Sequence, residues 1–80
     1  MTVKQVMVLY SRAECHLCRL AAEMLERGGF SWREVDIDED PVLAEKYGIH
    51  VPVVQRPDNG RELFFPFDEF SLRLFAENET

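Results

Sequence analysis

An α/β domain with its elements in the order β–α–β–α–β–β–α is what this sequence predicts, and three observations carry the prediction. Val3 to Tyr10 is a nearly continuous apolar run, broken only by Lys4 and Gln5, and it leads within a few residues into a helical apolar pattern. Phe30 to Asp38 alternates with period two near its end, Val35 and Ile37 on one side and Asp36 and Asp38 on the other. Val51 to Gln55 and Glu62 to Phe65 flank Pro57-Asp58-Asn59-Gly60, a strong turn signal that makes them a hairpin. The 80 residues fit one domain, residues 1–80. A core is only marginally sufficient at this size, but six Phe, one Trp and two Tyr supply large buried surfaces.

Taken in order, Val3–Tyr10 (β1) suits a central strand covered on both faces. Ser11-Arg12-Ala13-Glu14 connects it to a helix (α1) that begins just after Cys15. There Leu17, Leu20, Ala21, Met24 and Leu25 follow the i, i+3, i+4, i+7, i+8 spacing, and Gly28-Gly29 stops the helix. Phe30–Asp38 (β2) has one wet face, and the β–α–β order implies a parallel pair with a right-handed crossover. Asp40 as N-cap and Pro41 at the first helical position open a short helix (α2) to about Tyr47. Gly48 ends it, and Ile49 is placed for the hydrophobic contact that follows a glycine cap. Val51–Gln55 (β3) and Glu62–Phe65 (β4) follow. Asp68 caps the last helix (α3), with Phe67 and Leu72 at the staple positions and Phe70 and Leu74 continuing its apolar stripe. Linkers, repeats and low-complexity segments are absent from the sequence.

The formal net charge of −6 argues against nucleic acid and against anionic membranes. Val6–Tyr10 is too short for the apolar region of a secretory signal, and no stretch approaches the roughly 20 apolar residues of a membrane span. A cytoplasmic monomer is the expectation. In that reducing compartment two close cysteines point to redox or metal chemistry, not to a structural staple.

The chemistry centres on Cys15-His16-Leu17-Cys18. A thiolate is a nucleophile and a thiol is not. A cysteine at a helix N-terminus, facing unpaired backbone N–H groups and the positive end of the macrodipole, ionises at about pH 7 or lower instead of about 8.5. Attack by Cys15 on a disulfide gives a mixed disulfide, and Cys18, one helical turn on, can attack that bond and release the product. Cys15 is thus the candidate nucleophile and Cys18 the resolving thiol, with Cys18 the more buried. A structural bridge closing so short a loop would contribute only roughly 2 kcal/mol. A protonated His16 would hold the thiolate further, and Arg12 adds positive field that Glu14 opposes. Two rival readings stand beside this one. Zinc or a shared iron–sulfur cluster could use the pair, although zinc needs four ligands, and Cys15, Cys18 and His16 or His50 reach that number only with help. A non-catalytic adaptor would instead present Leu17, Val51, Phe65 and Phe67 as an apolar patch.

Leu9-Tyr10-Ser11-Arg12-Ala13-Glu14-Cys15-His16-Leu17-Cys18 resembles the active-site stretch of glutaredoxins, and Tyr47-Gly48-Ile49-His50-Val51-Pro52-Val53-Val54 resembles the segment through the cis-proline of the thioredoxin superfamily. The chain looks most like the short bacterial glutaredoxin-like proteins. The resemblance implies a thioredoxin fold with sheet order β2–β1–β3–β4, β3 antiparallel to β1 and a cis Val51–Pro52 bond. It implies a dithiol–disulfide oxidoreductase and electron carrier that reduces protein or glutathione mixed disulfides through catalytic Cys15 and Cys18. No tightly bound cofactor or metal is implied, and glutathione is a candidate for the external reductant. In glutaredoxins the positions of Arg12 and Val51 help hold glutathione. With them His16, Leu17, Pro52 and Asp68 are the candidate substrate-binding residues. The chain departs from the family's pattern twice: His16-Leu17 replaces the usual Pro-Tyr, and Phe65-Pro66-Phe67-Asp68 stands where glutaredoxins carry Gly-Gly followed by Asp.

Overall fold

A computed structural model describes residues 6–77. The elements are β1 (Val6–Ser11), α1 (His16–Arg27), β2 (Ser31–Asp36), a 3-10 turn (Ile37–Glu39), α2 (Pro41–Tyr47), β3 (Val53–Gln55), β4 (Glu62–Phe64) and α3 (Glu69–Glu77). The order is the expected one, and the expected strand start at Val3–Gln5 lies outside the described residues. The strands form one sheet in the order β2–β1–β3–β4. β1 and β2 are parallel, from Val6 opposite Ser31 to Ser11 opposite Asp36. β3 runs antiparallel to β1, with Tyr10 opposite Val53, and antiparallel to β4, with Gln55 opposite Glu62.

The apolar run of β1 is explained by what covers it. Met7 and Leu9 join Ala21, Leu25, Val54, Phe67 and Leu72 in one buried cluster, which α1 and α3 supply from one face. Tyr10 packs against a second cluster of Ile37, Tyr47 and Val53 on the α2 side. A central strand with both faces covered has no polar alternation to show. The Tyr10 and Tyr47 rings stack with centroids 4.4 Å apart, Tyr10 donates to Gln55 at 2.8 Å, and Tyr47 donates to Glu62. Burial raises the Tyr47 phenol well above its ordinary pKa, and the Glu62 carboxylate adds to this.

Local signals set the helix ends. Beyond α1, Gly29 sits at φ +73°, where its N–H reaches Glu26 O and that of Phe30 reaches Leu25 O. That is a Schellman motif, and Phe30 as the following residue packs on the same core as Met24. Asp40 accepts from the Val42 N–H at 2.9 Å, with Pro41 at the first position, as expected. Asp68 accepts from the Ser71 N–H at 2.7 Å, and Phe67 and Leu72 are both buried in the core.

Four local expectations are corrected. β2 stops at Asp36, because the Asp36 carboxylate accepts the Asp38 N–H and folds Ile37–Glu39 into a turn that still buries Ile37. Gly48 stays right-handed, at φ −50°, so α2 continues into a turn in which His50 and Val51 both donate to Tyr47 O. Ile49 therefore makes no cap contact and is 91% exposed. On α3 the core-facing stripe is buried Leu72 with half-buried Phe75 and Ala76, and the offset leaves Phe70 and Leu74 exposed. β3 and β4 are each shorter than expected, because proline ends their ladders: Pro52 precedes Val53 and Pro66 follows Phe65. Both Val51–Pro52 and Phe65–Pro66 are cis, the first as the resemblance implied.

Candidate functional site

Cys15 stands at the junction of β1 and α1 as the N-cap residue, in extended conformation with φ −104° and ψ 105°. Its Sγ accepts the Cys18 N–H at 3.1 Å, so the sulfur takes the place that a serine or aspartate oxygen holds at an ordinary cap. Glu14 before it has φ +59°, the one described non-glycine residue in the left-handed region, and this bend delivers Cys15 to the helix end. Cys15 and Cys18 are bridged, with Cα atoms 5.2 Å apart. Cys15 is half-buried and Cys18 is 3% exposed, the order of burial expected from their places on the chain. His16 and Leu17, at the first two helical positions between them, are both exposed.

The other candidates are near, but mostly engaged. Arg12 forks onto Asp38, Nη2 to Oδ1 at 2.7 Å and Nε to Oδ2 at 3.2 Å, while Nη1 donates to Gly48 O at 2.7 Å. The guanidinium thereby ties the strand exit to the turn after β2 and to the end of α2. It also holds the Asp38 carboxyl below the usual carboxylate range. Val51 and Pro52 lie at the same end of the sheet as the cysteines, because Val53 pairs with Tyr10. Pro52 is buried, and the Val51 N–H is bonded to Tyr47 O at 3.1 Å. The Phe65 N–H reaches Pro52 O at 3.3 Å, which brings the segment before α3 alongside. Asp68, at the end of that segment, is exposed, and the Ser71 amide it accepts holds its carboxyl low. Of the apolar patch considered above, Leu17 is exposed, Val51 and Phe65 are half-buried, and Phe67 belongs to the core.

A cavity of about 250 Å³ reaches both cysteines from the β2 side and is lined by Arg12, Glu14 and Arg19 as well as by Glu34. Sequence reasoning singled out neither Arg19 nor Glu34. Their signal was positional: Arg19 follows Cys18, and Glu34 lies two residues from the end of the strand parallel to β1. The buried Ser11 hydroxyl donates to Glu34 at 2.5 Å. Among the described residues, no three His, Cys, Asp or Glu side chains converge to hold a metal ion. Among them, too, no helix is long and apolar enough to cross a membrane.

Residues 6–75 match the family described as Glutaredoxin-like domain (DUF836). Structural-genomics target protein XcR50 from X. campestris, in its X-ray structure, is 42% identical over 88% of this chain and 93% of its own, with a TM-score of 0.82. Its solution structure superposes with a TM-score of 0.78. Protein Ne2328 from Nitrosomonas europaea is 22% identical over 94% of each chain, with a TM-score of 0.75, and supports the fold. No curated protein matches.

Proposed function

The chain belongs to the glutaredoxin-like domain family, and from that premise we propose that it is a dithiol–disulfide oxidoreductase that reduces protein or glutathione mixed disulfides. One observation carries the reading: Cys15 Sγ receives the Cys18 amide at the opening of α1, with the second sulfur buried one turn behind it. In the reduced protein that amide and the helix terminus stabilise negative charge on Cys15. The Cys15 thiolate attacks one sulfur of the substrate disulfide, the leaving thiolate takes a proton, and a Cys15–substrate disulfide forms. Cys18 then loses its proton and attacks Cys15 Sγ. The substrate leaves as a thiol, and the Cys15–Cys18 bridge remains to be recharged with two electrons, with glutathione a candidate donor.

Turnover of a glutathionylated peptide by wild type, Cys15→Ser and Cys18→Ser tests the proposal. Cys15→Ser should lose turnover. Cys18→Ser should accumulate a covalent adduct on Cys15, visible by mass spectrometry and released by an external thiol. Equal turnover by wild type and Cys15→Ser ends the proposal.

A further inference from the structure

The cavity beside the disulfide has a location, a size and a charge pattern that together describe a ligand. β2 and β3 flank β1 on opposite sides, so this cavity opens away from Val51 and Pro52. At about 250 Å³ it falls just under the roughly 300–1,000 Å³ of pockets that take drug-sized molecules. It has room for a molecule the size of an amino acid, not for a folded loop. Both cysteines are in its wall with two guanidiniums and two carboxylates. Arg12 is spent on Asp38 and Gly48 O, and Glu34 accepts the Ser11 hydroxyl. Arg19 and Glu14 are left: among the described residues, neither side chain meets a hydrogen-bond or ion-pair partner. One exposed charge of each sign, without a partner among the described residues, therefore lines the cavity together with the bridge.

We infer that this cavity is the entry site of the recharging reductant, a small zwitterionic thiol whose carboxylate faces Arg19 and whose ammonium faces Glu14 as its sulfur meets Cys15. The inference rests on the exchange chemistry proposed above and adds the site and the route by which the electron donor reaches Cys15. The thiolate of the donor attacks Cys15 Sγ, the more exposed sulfur, and the Cys15–Cys18 bond breaks. Cys18 leaves as a thiolate and takes a proton. A second donor thiolate attacks the donor sulfur of the mixed disulfide, so the donor leaves as its own disulfide and Cys15 as a thiolate. In sum, one protein disulfide and two thiols give one protein dithiol and one small disulfide.

The test follows reduction of the oxidised protein by cysteine, 3-mercaptopropionate, cysteamine and 2-mercaptoethanol, with rates expressed per thiolate and corrected for thiol basicity. Cysteine should exceed 2-mercaptoethanol several-fold. Arg19→Gln should lower the rate ratios of cysteine and 3-mercaptopropionate to 2-mercaptoethanol. Glu14→Gln should lower those of cysteine and cysteamine. Arg73→Gln, an equal charge change on exposed α3, should leave all three ratios in place. Equal corrected rates for the four thiols, or ratios untouched by both cavity variants, overturn the site but leave the exchange chemistry standing. Oxidised protein that none of the four reduces overturns the exchange chemistry, and the site with it.

Discussion

Removing the second sulfur while keeping its amide isolates the device on which the proposed chemistry depends. In Cys18→Ser the backbone N–H at position 18, which lies 3.1 Å from Cys15 Sγ, is retained and Cys15 is left as the sole thiol. A hydrogen bond to a charged group contributes about 1.5–3 kcal/mol, and the lower end suits a weak acceptor such as sulfur. A helix N-terminus adds about 0.3–1 kcal/mol. Together they give about 2 kcal/mol, or roughly a 30-fold larger ionisation constant for Cys15 in the folded chain than in the same chain unfolded. Thiolate absorbance followed against pH, with and without guanidinium chloride, measures that ratio directly. Linkage provides a second measurement. The folded thiol ionises at lower pH than the unfolded one. The stability this contributes is therefore fully present above the unfolded value of about 8.5 and is lost as pH falls through the folded titration. The unfolding free energy of Cys18→Ser, less that of the variant in which Cys15 is also Ser, should then grow by about 2 kcal/mol from pH 5 to pH 9. Identical titrations of the folded and unfolded thiol, with a flat stability difference, would refute the reasoning.

Core and surface positions should separate sharply on α1 and α3. Leu25→Ala removes a fully buried side chain packed with Leu9, Val54 and Leu72, and should cost about 2–5 kcal/mol by urea unfolding, whereas Phe70→Ser at 68% exposure should stay within about 0.5 kcal/mol. Acid stability should depend on three aspartates held below the usual carboxylate range: Asp38 by its hydrogen bond to Arg12, Asp58 by that to Arg56, and Asp68 by the Ser71 backbone amide. Their contribution is present above the unfolded carboxylate value and is lost as pH falls through the depressed values; replacing all three by Asn should flatten the acid limb of an unfolding-versus-pH curve, and an unaltered limb would show that these bonds do not couple to folding.

Where side-chain period or a backbone-specific residue dictates structure, the sequence was sufficient. The double-sided burial of β1 was legible in an apolar run, α1 in its i, i+3, i+4 spacing, and α2 in Asp40-Pro41. The turn between β3 and β4 was legible in Asn59-Gly60: Gly60 sits at φ +74° and Asn59 Oδ1 takes the Arg61 N–H. What escaped depends on tertiary contacts. Gly48 carries the composition of a left-handed cap, but Arg12, 36 residues earlier, binds its carbonyl and the turn stays right-handed. Phe70 and Leu74 are spaced for a core stripe. Phe75 and Ala76 take that role because Arg56, buried at 2%, reaches from the hairpin to Phe75 O and fixes which face of α3 is turned inward.

For the site, residue type and residue availability part company. The placement of the cysteines was legible because it follows from their position on the chain: one caps the helix and the other lies one turn inside it. The polar groups assigned to substrate by resemblance were legible only as types. The structure commits three of them elsewhere, Arg12 to Asp38 and Gly48, the Val51 N–H to Tyr47, and the Asp68 carboxylate to Ser71, while His16 stays exposed. A ligand carboxylate approaching Arg12 must displace or share a two-toothed ion pair, and so gains less than it would from a free guanidinium. Arg19 and Glu14 have no such competitor. Under the proposed reading, that makes them, and not Arg12 in the same cavity wall, the contacts a small charged molecule would use.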